Sequence, residues 1–331
     1  MICNTRIVRS ASLDPWRNLA IEEYLLDRVA RDQAILYLWQ NQNTVVIGKN
    51  QNAWRECRTD VLESEGGKLA RRLSGGGAVF HDTGNLNFTF LAGRDNYDLQ
   101  RQVSVILSAV RSLGIEAEMS GRNDLTVEGR KFSGNAFCFR NNSAYHHGTV
   151  LVSADFTKLA RYLQVSEEKI KSKGIQSVQS RVVNLCEYKP DLTIEQMADA
   201  LSGAFTEIYG CNPEETGTED LDGAILNGLE KKYTSWEWRY GEAPVFDIDL
   251  DTRFEWGGLE LGLRLENGRI ASAAAYSDAM DEAYISTLPD ILKGCPFKST
   301  EIAARLRGIK GAPETVRMTG DIAAWIESKG F

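Results

Sequence analysis

Two stretches of the chain gather the residue types that handle phosphate. They are Arg71-Arg72-Leu73-Ser74-Gly75-Gly76-Gly77-Ala78-Val79-Phe80-His81-Asp82 and Gly129-Arg130-Lys131-Phe132-Ser133-Gly134-Asn135-Ala136-Phe137. Three successive glycines let backbone N–H groups approach an anion without side-chain obstruction, and Arg71 and Arg72 stand directly before them with charge to match. The spacing fits neither G-x-G-x-x-G nor G-x-x-x-x-G-K-[ST], so neither the dinucleotide fingerprint nor the Walker loop applies. In the second stretch a lysine leaves a turn and heads a strand that contains a glycine, a pattern that on its own is an ordinary solvated charge. Gly121-Arg122-Asn123-Asp124 adds a polar loop with one carboxylate able to hold magnesium through oxygen, although a turn residue reads the same way. His146-His147 is a tempting metal pair. Neighbours on a strand face opposite sides, however, so the two cannot easily share an ion, and no third ligand is evident.

The elements that must position these residues are legible in outline. Asp14-Pro15, a capping residue followed by proline at the first helical position, starts a helix running to about Ala30 with Leu19, Tyr24 and Leu26 toward a core. Ile35–Trp39 and Thr44–Gly48, separated by Asn41–Asn43, read as a hairpin. A short helix near Thr59–Ser64 precedes strands at Lys68–Leu73, Ala78–His81 and Leu86–Leu91, which places the glycine run between strands. A helix from about Tyr97 to Leu113 repeats apolar residues at Val103, Ile106, Leu107 and Val110. Strands at Ile115–Met119, Leu125–Val127, Lys131–Phe139 and Thr149–Ser153 follow, with turn chemistry at Glu128-Gly129 and Asn141-Asn142. Thr193 with Gln196 forms a capping box for a helix ending near Tyr209.

The pattern is α+β: a mostly antiparallel sheet with flanking helices. Tyr240–Pro244 loses helical periodicity and reads as a linker, dividing a catalytic domain at 1–243 from a C-terminal domain at 246–331. The latter is a small α+β domain with strands Phe254–Leu265 and Ile270–Tyr276 around Glu266-Asn267-Gly268, and helices near Thr300–Leu306 and Gly320–Lys329.

The 331 residues, 43% hydrophobic and 25% charged, have the composition of an ordinary globular protein. A net charge of −8 argues against broad attachment to nucleic acid. No apolar run approaches the roughly 18 residues of a membrane span, and the start lacks a secretory signal, so a cytoplasmic protein with no membrane or nucleic-acid partner is expected. Six scattered cysteines with no C-x-x-C pair read as reduced, mostly structural thiols.

In this order, the two opening stretches, Gly121–Asp124 and His146-His147-Gly148-Thr149 resemble the bacterial lipoate-protein ligases. Asp14-Pro15-Trp16, Asn18-Leu19-Ala20, Glu22-Glu23, Thr44–Gly48, Gln51-Asn52, Asp82 and Gly84-Asn85 extend the resemblance, which covers roughly residues 5 to 245 and, less specifically, a tail like the family's accessory domain. It implies a biotin/lipoate ligase-like catalytic fold and a two-step reaction: lipoate attacks ATP to give lipoyl-AMP, and a carrier lysine then takes the lipoyl group. Carriers of this kind are 2-oxoacid dehydrogenase E2 subunits and the glycine-cleavage H protein. The family's essential lysine matches Lys131, and its nucleotide-binding positions match Arg72 and Gly77, Ala78, Val79 and Phe80.

Physical chemistry agrees with these implied roles. Joining a carboxylate to a triphosphate needs donors that offset the charge growing at the α-phosphorus, and the compact Lys131 ammonium can touch both the acyl carbonyl and the phosphate. Asn123 and Asp124 join the nucleotide set, with Asp124 also the expected ligand of Mg2+. The lipoyl tail is expected against Val46, Leu73, His81 and His147. A rival is an ATP-independent lipoyl or octanoyl transferase working through a thioester on Cys138 or Cys186. A third class is a non-catalytic binder or adenylate-sensing regulator.

Overall fold

A computed structural model describes residues 2, 4–120, 124–163, 182–240 and 247–331. Eight strands lie in one sheet in the spatial order β11 (Glu214–Thr216), β1 (Asn4–Arg9), β2 (Gln33–Trp39), β6 (Asn85–Gly93), β10 (Ser143–Leu151), β9 (Arg130–Arg140), β8 (Asp124–Val127) and β7 (Glu118–Ser120). β1 runs parallel to β11 and β2, and the remaining pairings along this sheet are antiparallel.

Alternation along the strands feeds two cores. Ile7, Leu36, Leu38, Phe88 and Phe90 point to a cluster completed by α4 (Leu99–Ser112) and α6 (Ile194–Tyr209). Val8, Ile35, Tyr37, Trp39 and Leu91 point the other way, to α1 (Pro15–Arg28) and α7 (Gly223–Thr234). With both faces covered, β6 is buried at every position.

Local chemistry sets the helix starts as expected. The Asp14 carboxylate accepts from the N–H groups of Trp16 and Arg17 ahead of Pro15, and Thr193 and Gln196 exchange both bonds of the capping box. The expected hairpin of Ile35–Trp39 with Thr44–Gly48 does not form. Both edges of β2 are taken by β1 and β6, so β3 (Thr44–Ile47) leaves for a second sheet between β4 (Lys68–Arg71), parallel, and β5 (Val79–His81), antiparallel. The polar connection is buried at Asn41, whose side chain bonds Asn18 and His81. The stretch 115–117 buries Ile115 and Ala117 but enters no ladder, and its strand begins at Glu118.

The chain divides into two compact units, one of Met1–Ile47, Ala53–Leu73 and Ala78–Arg239, the other of Gly48–Asn52, Ser74–Gly77 and Tyr240–Phe331. The expected linker at Tyr240–Pro244 and the boundary between 243 and 246 fall on 241–246, outside the described residues apart from Tyr240. In the second unit β12 (Ile248–Phe254), β13 (Gly257–Glu266) and β14 (Arg269–Ser277) form an antiparallel sheet. Its core is completed by α9 (Glu282–Leu292), α10 (Ser299–Arg307) and α11 (Pro313–Lys329).

The expected strand Phe254–Leu265 is thus split, because Gly257 at φ 151° turns the chain between β12 and β13. α9 escaped the sequence reading because Pro289 inside it reads as a breaker. α11 starts at Pro313, ahead of the Gly320 start expected for it. No helix among the described residues is long and apolar enough to cross a membrane.

Candidate active site

Lys131 owes its position to a turn and a bulge. Glu128 at φ 51° and Gly129 at φ 74° join β8 to β9 in a tight hairpin, and the ladder pairs Thr126 with Lys131. The register then shifts, so that Leu125 pairs with Ser133 and Phe132 is the extra residue. Phe132 fills the first core beside Phe88 and Phe90. The bulge brings Lys131 and Gly134, three residues apart, to the same opposite face, where strict alternation would separate them. A Cβ on Gly134 would stand 2.9 Å from both Cε and Nζ of Lys131, so the ammonium lies directly over this glycine. There Nζ meets Asp124 Oδ1 at 2.7 Å, with both side chains more than a third exposed.

The same face continues across the sheet. Gly134 neighbours Thr149, whose hydroxyl accepts from the Gly134 N–H, and Ala136 neighbours His147. His147 Nδ1 is 2.8 Å from Glu22 Oε1, which also accepts from the Thr89 hydroxyl at 2.7 Å; the indole N–H of Trp39 in turn donates to Thr89. Glu22 is 1% exposed. His146 faces the other way, enclosed by Phe88, Phe90 and Phe137 with Nε2 on Asn135 Oδ1, and burial holds it neutral by pushing its pKa down to about 3. The two histidines therefore lie on opposite faces, as the strand pattern required.

Arg72 follows β4, and its buried guanidinium donates to Val46 O at 3.2 Å. Burial lowers its pKa to about 10, and Tyr145 and Glu22 lie close enough to favour its charge. His81 ends β5 with Nδ1 on Asn41; burial, with the charges of Arg72 and His147, pushes it down to about 3, so its imidazole is neutral. Val46 and Leu73 join the second core with Tyr37, Trp39 and Tyr145, and Val79 packs against it. Phe80 packs on Tyr162, Gly77 and Ala78 are half-buried, and a Cβ on Gly77 would meet open space. The Arg71 guanidinium donates to the carbonyls of Trp238 and Arg239 at the end of α8 (Trp236–Arg239). Asn123 lies outside the described residues.

The structure thus brings Arg72, His81 and His147 into one electrostatic neighbourhood and sets Lys131 and Asp124 on the same sheet face as His147. No group of three or more His, Cys, Asp or Glu able to hold a metal occurs among the described residues. Asp124 alone still suits a magnesium ion that arrives on phosphates, because such an ion needs only one or two protein carboxylates. The described cysteines form no disulfide; Cys138 is buried opposite Tyr145, and burial pushes the Cys57 thiol up to about 12.

Sequence reasoning did not assign Glu22, Thr89 or Trp39 to the site. The available signal was Glu22 itself, a carboxylate spaced between Leu19 and Leu26 on the apolar face of α1.

Its neighbour Glu23 is structural. Lys232 Nζ lies 2.7 Å and Arg140 NH1 2.6 Å from its buried carboxylate. Burial alone would raise its pKa, but the bonds from Lys232 and Arg140 outweigh that and hold it below the ordinary 4.5. A depressed folded pKa stabilises above the unfolded value, and the stabilisation is lost as pH falls through the folded one. Glu23→Gln is therefore expected to cost about 1–3 kcal/mol at pH 7, discounted for partners that are about a third exposed. The gap from wild type should hold down to about pH 5 and narrow below it, in urea midpoints measured from pH 7 to 3. A gap independent of pH would contradict the assignment.

Residues 14–206 match the family model of the lipoyl protein ligase A/B catalytic domain, and residues 243–325 match that of the bacterial lipoate protein ligase C-terminus. Among solved structures, LipL1 of P. falciparum in complex with lipoate is 28% identical, with 98% of this chain and 100% of that chain covered at a TM-score of 0.87. The bi-partite lipoate protein ligase of Thermoplasma acidophilum, from a structural analysis that includes its E2 lipoyl domain, is 27% identical over 74% of this chain and 99% of its own, with a TM-score of 0.66. Lipoate-protein ligase A bound with ATP is 25% identical over 73% and 99%, with a TM-score of 0.63. The paired domain matches and the shared fold place this chain in the lipoate-protein ligase family.

Proposed function

We propose that the chain activates lipoate with ATP to lipoyl-AMP and transfers the lipoyl group to a specific lysine of lipoyl carrier domains. The observation that carries this reading is the Lys131 ammonium, held by Asp124 over Gly134 on the sheet face that also bears His147. Relatives support each substrate: one neighbour holds lipoate, another holds ATP, and a third was studied with its E2 lipoyl domain. The carriers are the E2 subunits of 2-oxoacid dehydrogenases and the glycine-cleavage H protein, and the reaction belongs to the cytoplasm. Residues 1–243 act as the catalytic domain and 246–331 as the accessory domain.

In the first step Lys131 offsets the negative charge that builds up as the lipoate carboxylate meets the α-phosphorus, and pyrophosphate leaves. Arg72 and the backbone of Gly77, Ala78, Val79 and Phe80 hold the nucleotide, with Asn123 and Asp124 beside it. Bound Mg2+, for which Asp124 is the available carboxylate, would neutralise charge on the departing pyrophosphate. Val46 and Leu73 supply the apolar wall for the lipoyl chain, with His81 and His147 as its polar neighbours.

Lipoate-dependent exchange of pyrophosphate into ATP, measured without a carrier, tests the reading, and no exchange would refute it. A thioester route predicts a different loss. Cys138→Ala combined with Cys186→Ser is expected to keep ATP-dependent ligation within about threefold, since replacing a small buried thiol by a smaller apolar group costs on the order of 1 kcal/mol. Loss of ligation in a folded double variant would favour the transferase.

A further inference from the structure

Lys131 and the proposed nucleotide stretch stand on different sheets. β9 belongs to the eight-stranded sheet and β5, which carries Val79 and Phe80, to the sheet of β3 and β4; among the described residues no ladder joins them. Adenylation needs one ammonium to reach an acyl carbonyl and a phosphate together, so the separation of these stretches must be fixed by other contacts.

Residues 182–188 supply them. The β10 ladder along β9 ends at Asn135, which leaves the strand edge at Lys131 open on that side. Val182 takes the place, bridging Lys131 in parallel, and the Val183 N–H donates to the Lys131 carbonyl at 2.9 Å. Arg130 adds a fork: its guanidinium meets both oxygens of Glu187, at 2.8 and 3.2 Å, and donates to Val182 O at 3.3 Å. The Tyr188 hydroxyl donates to the Glu128 carboxylate in the hairpin turn at 3.1 Å. A two-stranded hairpin end is marginal by itself, so such a grip decides where its side chains are held.

The same segment is tied toward β5. Val183 and Leu185 are buried in the first core. Asn184 exchanges two bonds with the main chain of Ala154, Oδ1 accepting from the N–H and Nδ2 donating to the carbonyl, each at 2.9 Å. The Cys186 N–H donates to Val152 O at 3.0 Å. One residue past Ala154, the Asp155 N–H donates to Asp82 Oδ2 at 2.8 Å, and Asp82 directly follows His81 at the end of β5.

We propose that residues 182–188 are a clasp that sets the reach of Lys131 to the nucleotide, with Arg130 and Asn184 as its positioning residues; this rests on the proposed ligase reading. Alternation along β9 sends the Arg130 side chain away from the face that carries Lys131, so it acts through its neighbour rather than on the substrates. Arg130 is 38% and Glu187 44% exposed, and a screened surface pair of this kind contributes little to stability. Loss of the pair therefore shows in rate.

The test reads lipoate-dependent pyrophosphate exchange by the full chain, with melting temperature beside it. In Arg130→Gln, kcat should fall about 10–30-fold, because a misplacement of about 1 Å can cost up to about 100-fold. KM for ATP and lipoate should stay within about twofold and the melting temperature within about 4 °C of wild type. The reversed pair, Arg130→Glu with Glu187→Arg, should bring kcat back to within about fivefold of wild type, since the fork meets the carboxylate again. Asn184→Ala should lower kcat about 10-fold. Combined with Arg130→Gln it should cost no more than about threefold beyond the worse single variant, because both release the same clasp.

Arg130→Gln and the reversed pair decide the case in which Asn184→Ala unfolds. An unchanged kcat in Arg130→Gln, a raised KM for ATP with kcat intact, no recovery in a folded reversed pair, or losses that multiply in the double variant would each overturn the inference and leave the ligase reading standing. Absence of exchange in the wild type would remove both.

Discussion

Lys131→Ala is expected to slow lipoate-dependent pyrophosphate exchange by about 10²–10³-fold or more, the scale seen when a single preorganised donor to a developing oxyanion is removed. The fold should survive. The side chain is 36% exposed and its partner Asp124 39%, so their ion pair is screened and contributes at most about 1 kcal/mol. The backbone that shapes the bulge is untouched, because the Lys131 carbonyl still accepts from Val183 and Phe132 still fills the core. Lys131→Arg should not restore the rate, since a planar fork is larger than the ammonium that fits over Gly134 and reaches carbonyl and phosphate as a point charge. The check is exchange rate and adenylate yield beside melting temperature for both variants. Normal lipoyl-AMP accumulation in Lys131→Ala would sink the role given to this lysine.

What the sequence disclosed depended on whether local chemistry or long-range pairing decided the outcome. Caps and tight turns were readable because the deciding residues are adjacent: Asp14-Pro15, Thr193 with Gln196, Glu128-Gly129 and Asn267-Gly268 all act as their types predict. The partner of β3 was not readable. It follows from β2 having no edge left, a fact settled by β1 and β6 at distant positions in the chain. Lys131 could be picked out only through its family context, and the bulge that aims it shows in no single residue type. Glu22 illustrates the opposite failure. A carboxylate on a buried helix stripe was visible, but its meaning required knowing that Thr89 and His147 sit across two strands beneath it. Arg71 and Arg72 look interchangeable in sequence, and both are buried, yet the first donates to helix-end carbonyls and the second lies close to Glu22.

Two glycines on neighbouring strands give the sharpest separation of rate from stability. Gly134→Ala places a Cβ 2.9 Å from Cε and Nζ of Lys131, the far end of a flexible side chain that can swing aside. Neither Gly134 nor Gly148 has a positive φ, so alanine meets no backbone strain at either site. Stability should stay within about 1 kcal/mol and can rise slightly, because alanine loses less backbone freedom on folding. The displaced ammonium, however, is expected to lower the exchange rate about 10–100-fold, since a shift of about 1 Å in a reacting group can cost two orders of magnitude.

Gly148→Ala meets Gly134 O at 2.6 Å, Phe88 Cζ at 2.7 Å and Asn135 Oδ1 at 2.8 Å. The first is backbone of an adjacent strand and the second a ring fully buried in the core, so nothing can yield cheaply and the expected cost is about 1–3 kcal/mol or more. Urea midpoints should therefore fall for Gly148→Ala and hold for Gly134→Ala, while both lose exchange activity. A Gly134→Ala enzyme with undiminished exchange would mean that Lys131 acts from a different rotamer than the one lying over this glycine.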